Sequence, residues 1–414
     1  MDKVFFKTFG CRTNIYDSEL IKSYVKDFQL TTNEKEANIV IINSCTVTNG
    51  ADSGLKTYIN SLKKNNIKVI LTGCAAVSRG KELLDSGAIF GVLGASNKAK
   101  INDFLKAKTR FYELGDLNFI DKDIVKDYEN HTKAFVKIQE GCDFNCSYCI
   151  IPSVRGKSRS VKENDLLEQI KILIQNGYTE IVLTGTNIGS YGLKDGTTLG
   201  KLLQKIMQIQ GLKRIRLGSL EPAQIDASFM EILDENLLEK HLHIALQHTS
   251  ETILRIMRRR SHTKNDLLLF QTLADKGFAL GTDFIVGHPG ESEELWQEAL
   301  KNFKEFKLTH LHAFIFSPRN NTHSATLKNT IKGDVAKERL NTLKNIVQKN
   351  NYEFRKAKKA KLEVLVESKK NDFYEGYDQF FNKIKIISSK DLNKMWLNIE
   401  DYEIKEEFNE TRLR

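Results

Sequence analysis

What most restricts the fold is an alternation of short apolar runs with helical patterns at crossover-length spacing, and it occurs twice along the chain. In the first series Lys3 to Thr8, Asn38 to Asn43, Ile67 to Thr72 and Ile89 to Leu93 read as strands. Asp17 to Phe28 reads as an amphipathic helix capped by Asp17, and Lys98 to Lys106 as another. Such alternation predicts a doubly wound parallel sheet over 1–114. The stretch 115–132 is acidic, lacks periodicity and reads as a linker.

The second series, 133–354, has strands at Lys133 to Gln139, Glu180 to Thr184, Arg214 to Gly218, Leu242 to Gln247, Gly281 to Val286 and His310 to Phe316. Helical patterns, among them Asn164 to Gln175, Ser250 to Met257 and Glu293 to Phe306, separate them. Six strand-helix units fall short of the eight of a closed barrel and predict an open, partial (β/α)6 barrel. Pro152, Pro222, Pro289 and Pro318 each stand just past a predicted strand, where a loop leaves the ladder. After a helix over Asp334 to Asn350, the runs Leu362 to Glu367, Lys383 to Ile387 and Met395 to Ile399 carry no helical pattern between them. Residues 355–414 are therefore expected to form a small antiparallel β domain.

With 40% hydrophobic residues the chain can bury a core in each domain. No apolar run reaches the roughly 18 residues of a membrane span, and the first residues lack a signal-peptide pattern, so a cytoplasmic protein is expected. Six cysteines in a reducing compartment make no disulfide framework. The formal net charge of +10 fits a polyanionic partner, although a solvated Lys-rich surface also produces such a value.

Cys142, Cys146 and Cys149 lie on one loop, EGCDFNCSYCIIP, immediately after the first strand of the second series. Three thiolates at this spacing can converge on one soft metal centre, and a 4Fe-4S cluster so held keeps one iron free for a chelating substrate. The competing reading is structural zinc, which needs a fourth ligand; His131 is the only histidine close in sequence. Cys11, Cys45 and Cys74 each sit just past a predicted strand of the first series. The carboxyl ends of parallel strands share one edge, so three separated cysteines can meet there. Gly10 and Gly73 would admit a bulky centre, and Asn14 and Asn43 would cap loops or bond its sulfides. Taken singly, each of these cysteines also reads as a buried small hydrophobe.

The segments GCRTN (10–14), NSCTVT (43–48), TGCA (72–75) and GCDFNCSYCIIPSVRG (141–156) resemble the methylthiotransferases of the radical S-adenosylmethionine superfamily. VLVESKKNDFYEGY (364–377) is similar to that family's C-terminal TRAM domain. The resemblance implies a 4Fe-4S cluster on Cys142, Cys146 and Cys149 that reductively cleaves S-adenosylmethionine, and an auxiliary 4Fe-4S cluster on Cys11, Cys45 and Cys74 that carries sulfur. It further implies tRNA as partner, an electron donor such as flavodoxin or ferredoxin, no membrane, and a monomer. GCRTNIYDSE (10–19) and LTGTNIGSYG (183–192) look most like the branch acting on N6-threonylcarbamoyladenosine at position 37 of tRNA. Sister branches act on N6-isopentenyladenosine or on an aspartate of a small-subunit ribosomal protein. His248 and Thr249, His288 and Asn321 depart from the family's usual residues around the barrel mouth. His248 and His288 are expected to be satisfied by strand-end backbone, and His241 and His243 to pack inside the barrel.

Tyr148, Gly185, Glu221 and Gln247 are placed at strand ends or in the cysteine loop, where a bound cofactor would lie. Arg155 and Arg159 follow that loop, Arg258 and Arg259 close a helix, and Lys356, Lys358 and Lys359 precede the β domain, with Tyr374 and Tyr377 nearby. Together they fit an RNA footprint of phosphate contacts and stacking; singly, each run also fits a solvated face or a complement to a helix dipole. A non-catalytic RNA-binding protein with structural metal-cysteine sites is the alternative of a different class.

Overall fold

The computed structural model describes residues 1–63, 67–129 and 131–413. Its first sheet holds β1 (Lys3–Thr8), β2 (Gln29–Leu30), β3 (Ile39–Asn43), β4 (Lys68–Thr72), β5 (Gly91–Leu93) and β6 (Phe111–Glu113). They run parallel in the order β2-β1-β3-β4-β5-β6. Alternate residues of the buried run Ile39–Asn43 feed opposite cores. Val40 and Ile42 pack with Leu55, Ile59 and Leu71, while Ile39 and Ile41 pack with Ile21, Ile70 and Ile101. Helices therefore cover both faces, as a parallel sheet requires. β2 and β6 escaped the sequence reading because two or three residues carry no periodicity.

The first helix spans Arg12–Tyr24, five residues earlier than expected, with Cys11 at its N-cap. Asp17 is no cap. It lies mid-helix and buried, paired with Lys98, Lys137 and Arg155.

The second region comprises β7 (Ala134–Glu140), β8 (Arg159–Ser160), β9 (Glu180–Gly185), β10 (Arg214–Leu217), β11 (His241–His243), β12 (Ala279–Val286) and β13 (His310–Ile315). β10-β9-β7 and β11-β12-β13 are parallel, and β8 adds antiparallel to β7. Bridges Ile215↔Leu238 and Leu220↔Ile244 join the two groups into one open arc of six parallel strands, and Gln247↔Phe284 extends the β11–β12 pairing. β11 is shorter than expected because the Leu246 N–H turns to the Ile244 carbonyl and Thr282 Oγ1, which breaks the ladder before pairing resumes at Gln247.

Two other parts of the chain pack against this arc. Tyr16 and Leu20 of the Arg12–Tyr24 helix join the barrel core, and the Thr13 hydroxyl lies 3.3 Å from that of Thr184. Val125 and Tyr128 of the stretch expected as a linker are buried in the same core, and Asp121 pairs with Lys98 and Lys137. The acidity that suggested a solvated linker therefore includes a buried counter-ion.

A helix over Gly333–Lys358 leads to β14 (Leu362–Lys369), β15 (Tyr374–Tyr377), β16 (Lys383–Ile387), β17 (Trp396–Ile399), β18 (Glu403–Ile404) and β19 (Asn409–Arg412). The order is β17-β14-β15-β16-β19-β18, antiparallel except for the β16–β19 pair. This domain is docked on the barrel: Phe381 stacks on His241, and Arg216, held between Glu180 and Glu239, donates to the Asp378 carbonyl. Among the described residues no helix is long and apolar enough to cross a membrane.

Candidate functional site

The carboxyl ends of the first sheet and of the barrel strands face each other across a cavity of about 400 Å³, and all six cysteines line it. Cys11 follows β1 and starts a helix, Cys45 lies two residues past β3, and Cys74 opens the Cys74–Asp85 helix after β4. Two glycines make the loops possible. Gly10 has φ 103°, and a Cβ there would stand 2.5 Å from the Cys45 Cβ. Gly73 has φ 82°, and a Cβ there would stand 2.3 Å from Asn43 Oδ1. Asn43 and Asn14 serve the loops themselves: Asn43 donates to the Asn14 carbonyl and Asn14 to the Phe9 carbonyl.

The opposite wall is the loop after β7. Cys149 N–H donates to the Cys146 carbonyl, and Ser147 ties the loop to the Ile256 and Met257 carbonyls. The Asn187 amide reaches Cys142 Sγ at 3.6 Å and the Arg259 guanidinium reaches Cys146 Sγ at 3.7 Å.

The thiols respond to one another in two separate sets. Burial pushes Cys74 up to about 11, opposed by Arg155 and reinforced by Cys45 and Cys11. Burial pushes Cys149 up to about 12, reinforced by Cys146 and Cys142. Three thiolates crowded together ionise readily only around a cation, so either set could hold a metal centre. Its size is informative. Among the described residues the only group of three candidate ligands whose donor atoms lie within 4.8 Å of one another is His243, Asp283 and His312. One zinc ion, with Zn–S near 2.3 Å, would draw three sulfurs to within about 4 Å of each other. The wider cysteine triads suit a multi-iron cluster, and among the described residues no histidine lines the cavity to complete a zinc site. His131 packs instead between Tyr128 and Phe135.

Tyr148, Gly185, Glu221 and Gln247 all line the cavity. Tyr148 packs with Met257 and Ile285. Glu221 is held by Arg259 through both guanidinium arms, Nη1 at 2.9 Å. Burial raises the Glu221 carboxyl and Arg259 opposes that rise. A Cβ at Gly185 would lie 2.7 Å from the Gln139 carbonyl, so a side chain there is excluded. The lining residues that sequence reasoning missed include three polar, bonded ones. Asp283 is flanked by His243 at 3.3 Å and His312 at 3.6 Å. Arg319 bonds the Thr46 carbonyl and Asp52. Asn187 completes the set. Asn187 and Arg319 had visible signals, Asn187 in the segment LTGTNIGSYG (183–192) and Arg319 in SPRNNT (317–322), each just past a predicted strand end.

The basic residues divide. Lys356, Lys358, Lys359 and Arg258 are exposed. Lys356 and Lys358 occupy the last turn of the Gly333–Lys358 helix, where cations also complement the dipole. Arg155 and Arg259, expected on a phosphate-facing surface, are instead enclosed. Arg155 pairs with Asp17 and Glu140, and Arg259 with Glu221. Arg159 is largely buried and donates to the Phe119, Arg155 and Lys157 carbonyls. Tyr374 is buried in the β-domain core and Tyr377 stacks on Phe381, which takes both from a stacking surface.

His288 is bonded at one nitrogen by backbone, the Pro289 carbonyl, and at the other by Ser324 Oγ. His248 Nδ1 accepts from the Ser250 N–H, and its ring lies on Phe284. His241 and His243 point into the barrel, where Gly281 leaves room for both rings. Asn321 sits at φ 64°, a left-handed position that asparagine tolerates.

Comparison with known proteins agrees with this architecture. Residues 3–94 match the uncharacterized protein family UPF0004, and residues 136–303 match the Radical SAM superfamily. A Helicobacter pylori (strain J99) protein named "Putative methylthiotransferase" is 49% identical over 414 residues, 99% of each chain. The Aquifex aeolicus "Threonylcarbamoyladenosine tRNA methylthiotransferase MtaB" is 34% identical, covering 87% of this chain and 91% of that one. The Fervidobacterium nodosum "tRNA-2-methylthio-N(6)-dimethylallyladenosine synthase" is 32% identical, covering 91% and 90%. The structure of the radical S-adenosylmethionine methyltransferase TsrM from Kitasatospora setae superposes with a TM-score of 0.58 at 12% identity, over 78% of this chain and 77% of that one, a likeness of fold alone. From the two matched domains and the full-length relatives, the chain belongs to the radical S-adenosylmethionine methylthiotransferase family, a family of transferases.

Proposed function

We propose that this enzyme inserts a methylthio group into N6-threonylcarbamoyladenosine at position 37 of tRNA, giving the 2-methylthio derivative, in the cytoplasm and with two 4Fe-4S clusters. The observation that carries the reading is the meeting of two cysteine triads on one cavity. Cys142, Cys146 and Cys149 would hold the cluster that binds S-adenosylmethionine, and Cys11, Cys45 and Cys74 the auxiliary one. When bound, these groups supply reductive cofactor cleavage and sulfur transfer, chemistry that no side chain provides.

The chain supplies the surroundings. The cavity wall is largely apolar, and Val47, Phe314 and Ile315 stand about half exposed at its lining. Such a rim suits the face of an unpaired base, and an anticodon-loop nucleotide is extruded at low cost. Exposed Lys356, Lys358, Lys359 and Arg258 are available for phosphates. Arg259 orients Glu221 and thereby shapes the cofactor side of the cavity. The segments after Cys11 and around Gly185 favour the threonylcarbamoyl branch. The overall identities, 34% and 32%, do not separate it from the isopentenyl branch.

The test is nucleoside mass spectrometry of tRNA from cells lacking the gene and from the same cells with it restored. Loss and recovery of 2-methylthio-N6-threonylcarbamoyladenosine, with its precursor accumulating in the deletion, is the expected result. Loss of the isopentenyl analogue, or of the methylthio group of the ribosomal aspartate, would move the enzyme to a sister branch. No change in any of them would overturn the reading.

A further inference from the structure

Between the two triads lies a fully buried arginine whose partners come from both domains. Arg155 ends the Ile151–Arg155 helix that follows the Cys149 loop, so its backbone belongs to the barrel side. Its side chain crosses to the other side. Nε donates to Cys74 Sγ at 3.0 Å and Nη2 to Asn14 Oδ1 at 2.6 Å. Nη1 is shared between Asp17 Oδ2 at 2.8 Å and Glu140 Oε1 at 2.6 Å. Those carboxylates belong to a buried lattice in which Lys137 also bonds Asp17 and Glu140, and Lys98 also bonds Asp17. Three oxygens thus take three of the five guanidinium N–H groups and fix its orientation, and Nε–H falls on one sulfur. A surface phosphate contact would show none of this. Nor would a plain structural ion lattice need Cys74, since Asp17, Glu140 and Asp121 already balance Arg155, Lys137 and Lys98.

We propose that Arg155 is the positioning residue of the auxiliary site: it sets the first domain against the radical-loop helix and, by donating to the Cys74 sulfur, raises the reduction potential of the centre held by Cys11, Cys45 and Cys74. This rests on the two-cluster reading above. Hydrogen bonds to ligand sulfurs stabilise the more negative, reduced form of an iron-sulfur centre and so raise its potential. The first triad receives longer contacts, from Arg259 at 3.7 Å and Asn187 at 3.6 Å, and none from Arg155.

The experiment isolates each centre in the full chain. One background carries Cys142→Ala, Cys146→Ala and Cys149→Ala; the other carries Cys11→Ala, Cys45→Ala and Cys74→Ala. Arg155→Lys is introduced into both backgrounds, and each purified protein is then reconstituted anaerobically. It keeps a cation for Asp17 and Glu140 but lacks the fork that reaches Asn14 and Cys74 together. Asn14→Ala is the milder companion, removing one of the three oxygens that aim the guanidinium. Potentials are read by redox titration followed by electron paramagnetic resonance, with iron content per chain. The expected result is a more negative potential in the auxiliary background for Arg155→Lys, a smaller shift of the same sign for Asn14→Ala, and no shift in the other background. An unchanged auxiliary potential at full iron content would overturn the proposal, and so would equal shifts in both backgrounds. Absence of iron from the auxiliary background even with Arg155 intact would overturn the two-cluster reading itself, a signature distinct from either of those.

Discussion

The two cysteine triads occupy facing walls of one cavity but are built in opposite ways. Cys142, Cys146 and Cys149 come from a single loop, so local backbone bonds such as Cys149 N–H to the Cys146 carbonyl set much of their geometry. Cys11, Cys45 and Cys74 come from three loops that meet only because β1, β3 and β4 lie side by side in register. A local site is formed once its loop is formed. A site assembled across a sheet depends on the whole sheet and on close backbone approaches such as that of Gly10 to Cys45. The difference predicts that the first triad tolerates distant changes and the second does not.

Direct removal of a thiol gives the largest effects and separates the triads by product. Cys146→Ala should bring both 5′-deoxyadenosine formation and methylthio product to background, since cofactor cleavage is assigned to that centre. Cys45→Ala should keep cofactor cleavage within a few fold of the parent and lose the methylthio product. If Cys45→Ala formed full product, the two walls would not have the separate tasks assigned to them here.

Glycine substitutions sharpen the contrast one step further from the sulfurs. Gly73→Ala forces a Cβ into Asn43 Oδ1 at 2.3 Å and the Ser44 carbonyl at 2.8 Å, at a φ of 82°. A backbone strain of about 1–3 kcal/mol is expected there. Gly141→Ala is the counterpart beside the first triad, with φ 75° and a Cβ 2.0 Å from the Lys157 carbonyl. Iron analysis and thermal unfolding should show Gly73→Ala losing iron from the auxiliary site while cofactor cleavage persists. Gly141→Ala should lower cleavage itself. Equal loss from both sites in either variant would mean that the cavity assembles as one unit.

The same contrast explains what was legible in the sequence. Spacing alone placed the single-loop triad, and the strand-end position of three cysteines was enough for the other, because parallel strands put their ends on one edge. The interior between them was not legible. Asp17 reads as a helix cap by its polarity and position, yet its partners Lys98, Lys137 and Arg155 lie 81, 120 and 138 residues away. No local pattern announces such a lattice. The same blindness turned Arg155 and Arg259 into surface cations and 115–132 into a linker. Breaking one member of a buried ion lattice costs about 3–5 kcal/mol, so these residues matter more to the fold than the exposed lysines with which they were grouped.

The smallest expected effect concerns depth rather than task. Within the second triad Cys11 is exposed and Cys74 is buried, and burial pushes the Cys74 thiol up to about 11. A raised thiol pKa means that the thiolate fraction, and with it the alkylation rate, climbs about tenfold per pH unit until the pKa is reached. In metal-free protein treated with iodoacetamide, peptide mass spectrometry should find Cys11 modified well before Cys74 at pH 8. Cys74 should still be gaining steeply between pH 8 and pH 10, and Cys149, pushed up to about 12, should behave the same way in the other wall. A Cys74 rate already level by pH 8 would mean that its thiolate forms without a metal, with Arg155 alone outweighing burial. In that event the electrostatic case for a metal centre on this wall would fail, although the single-loop triad opposite would keep its own.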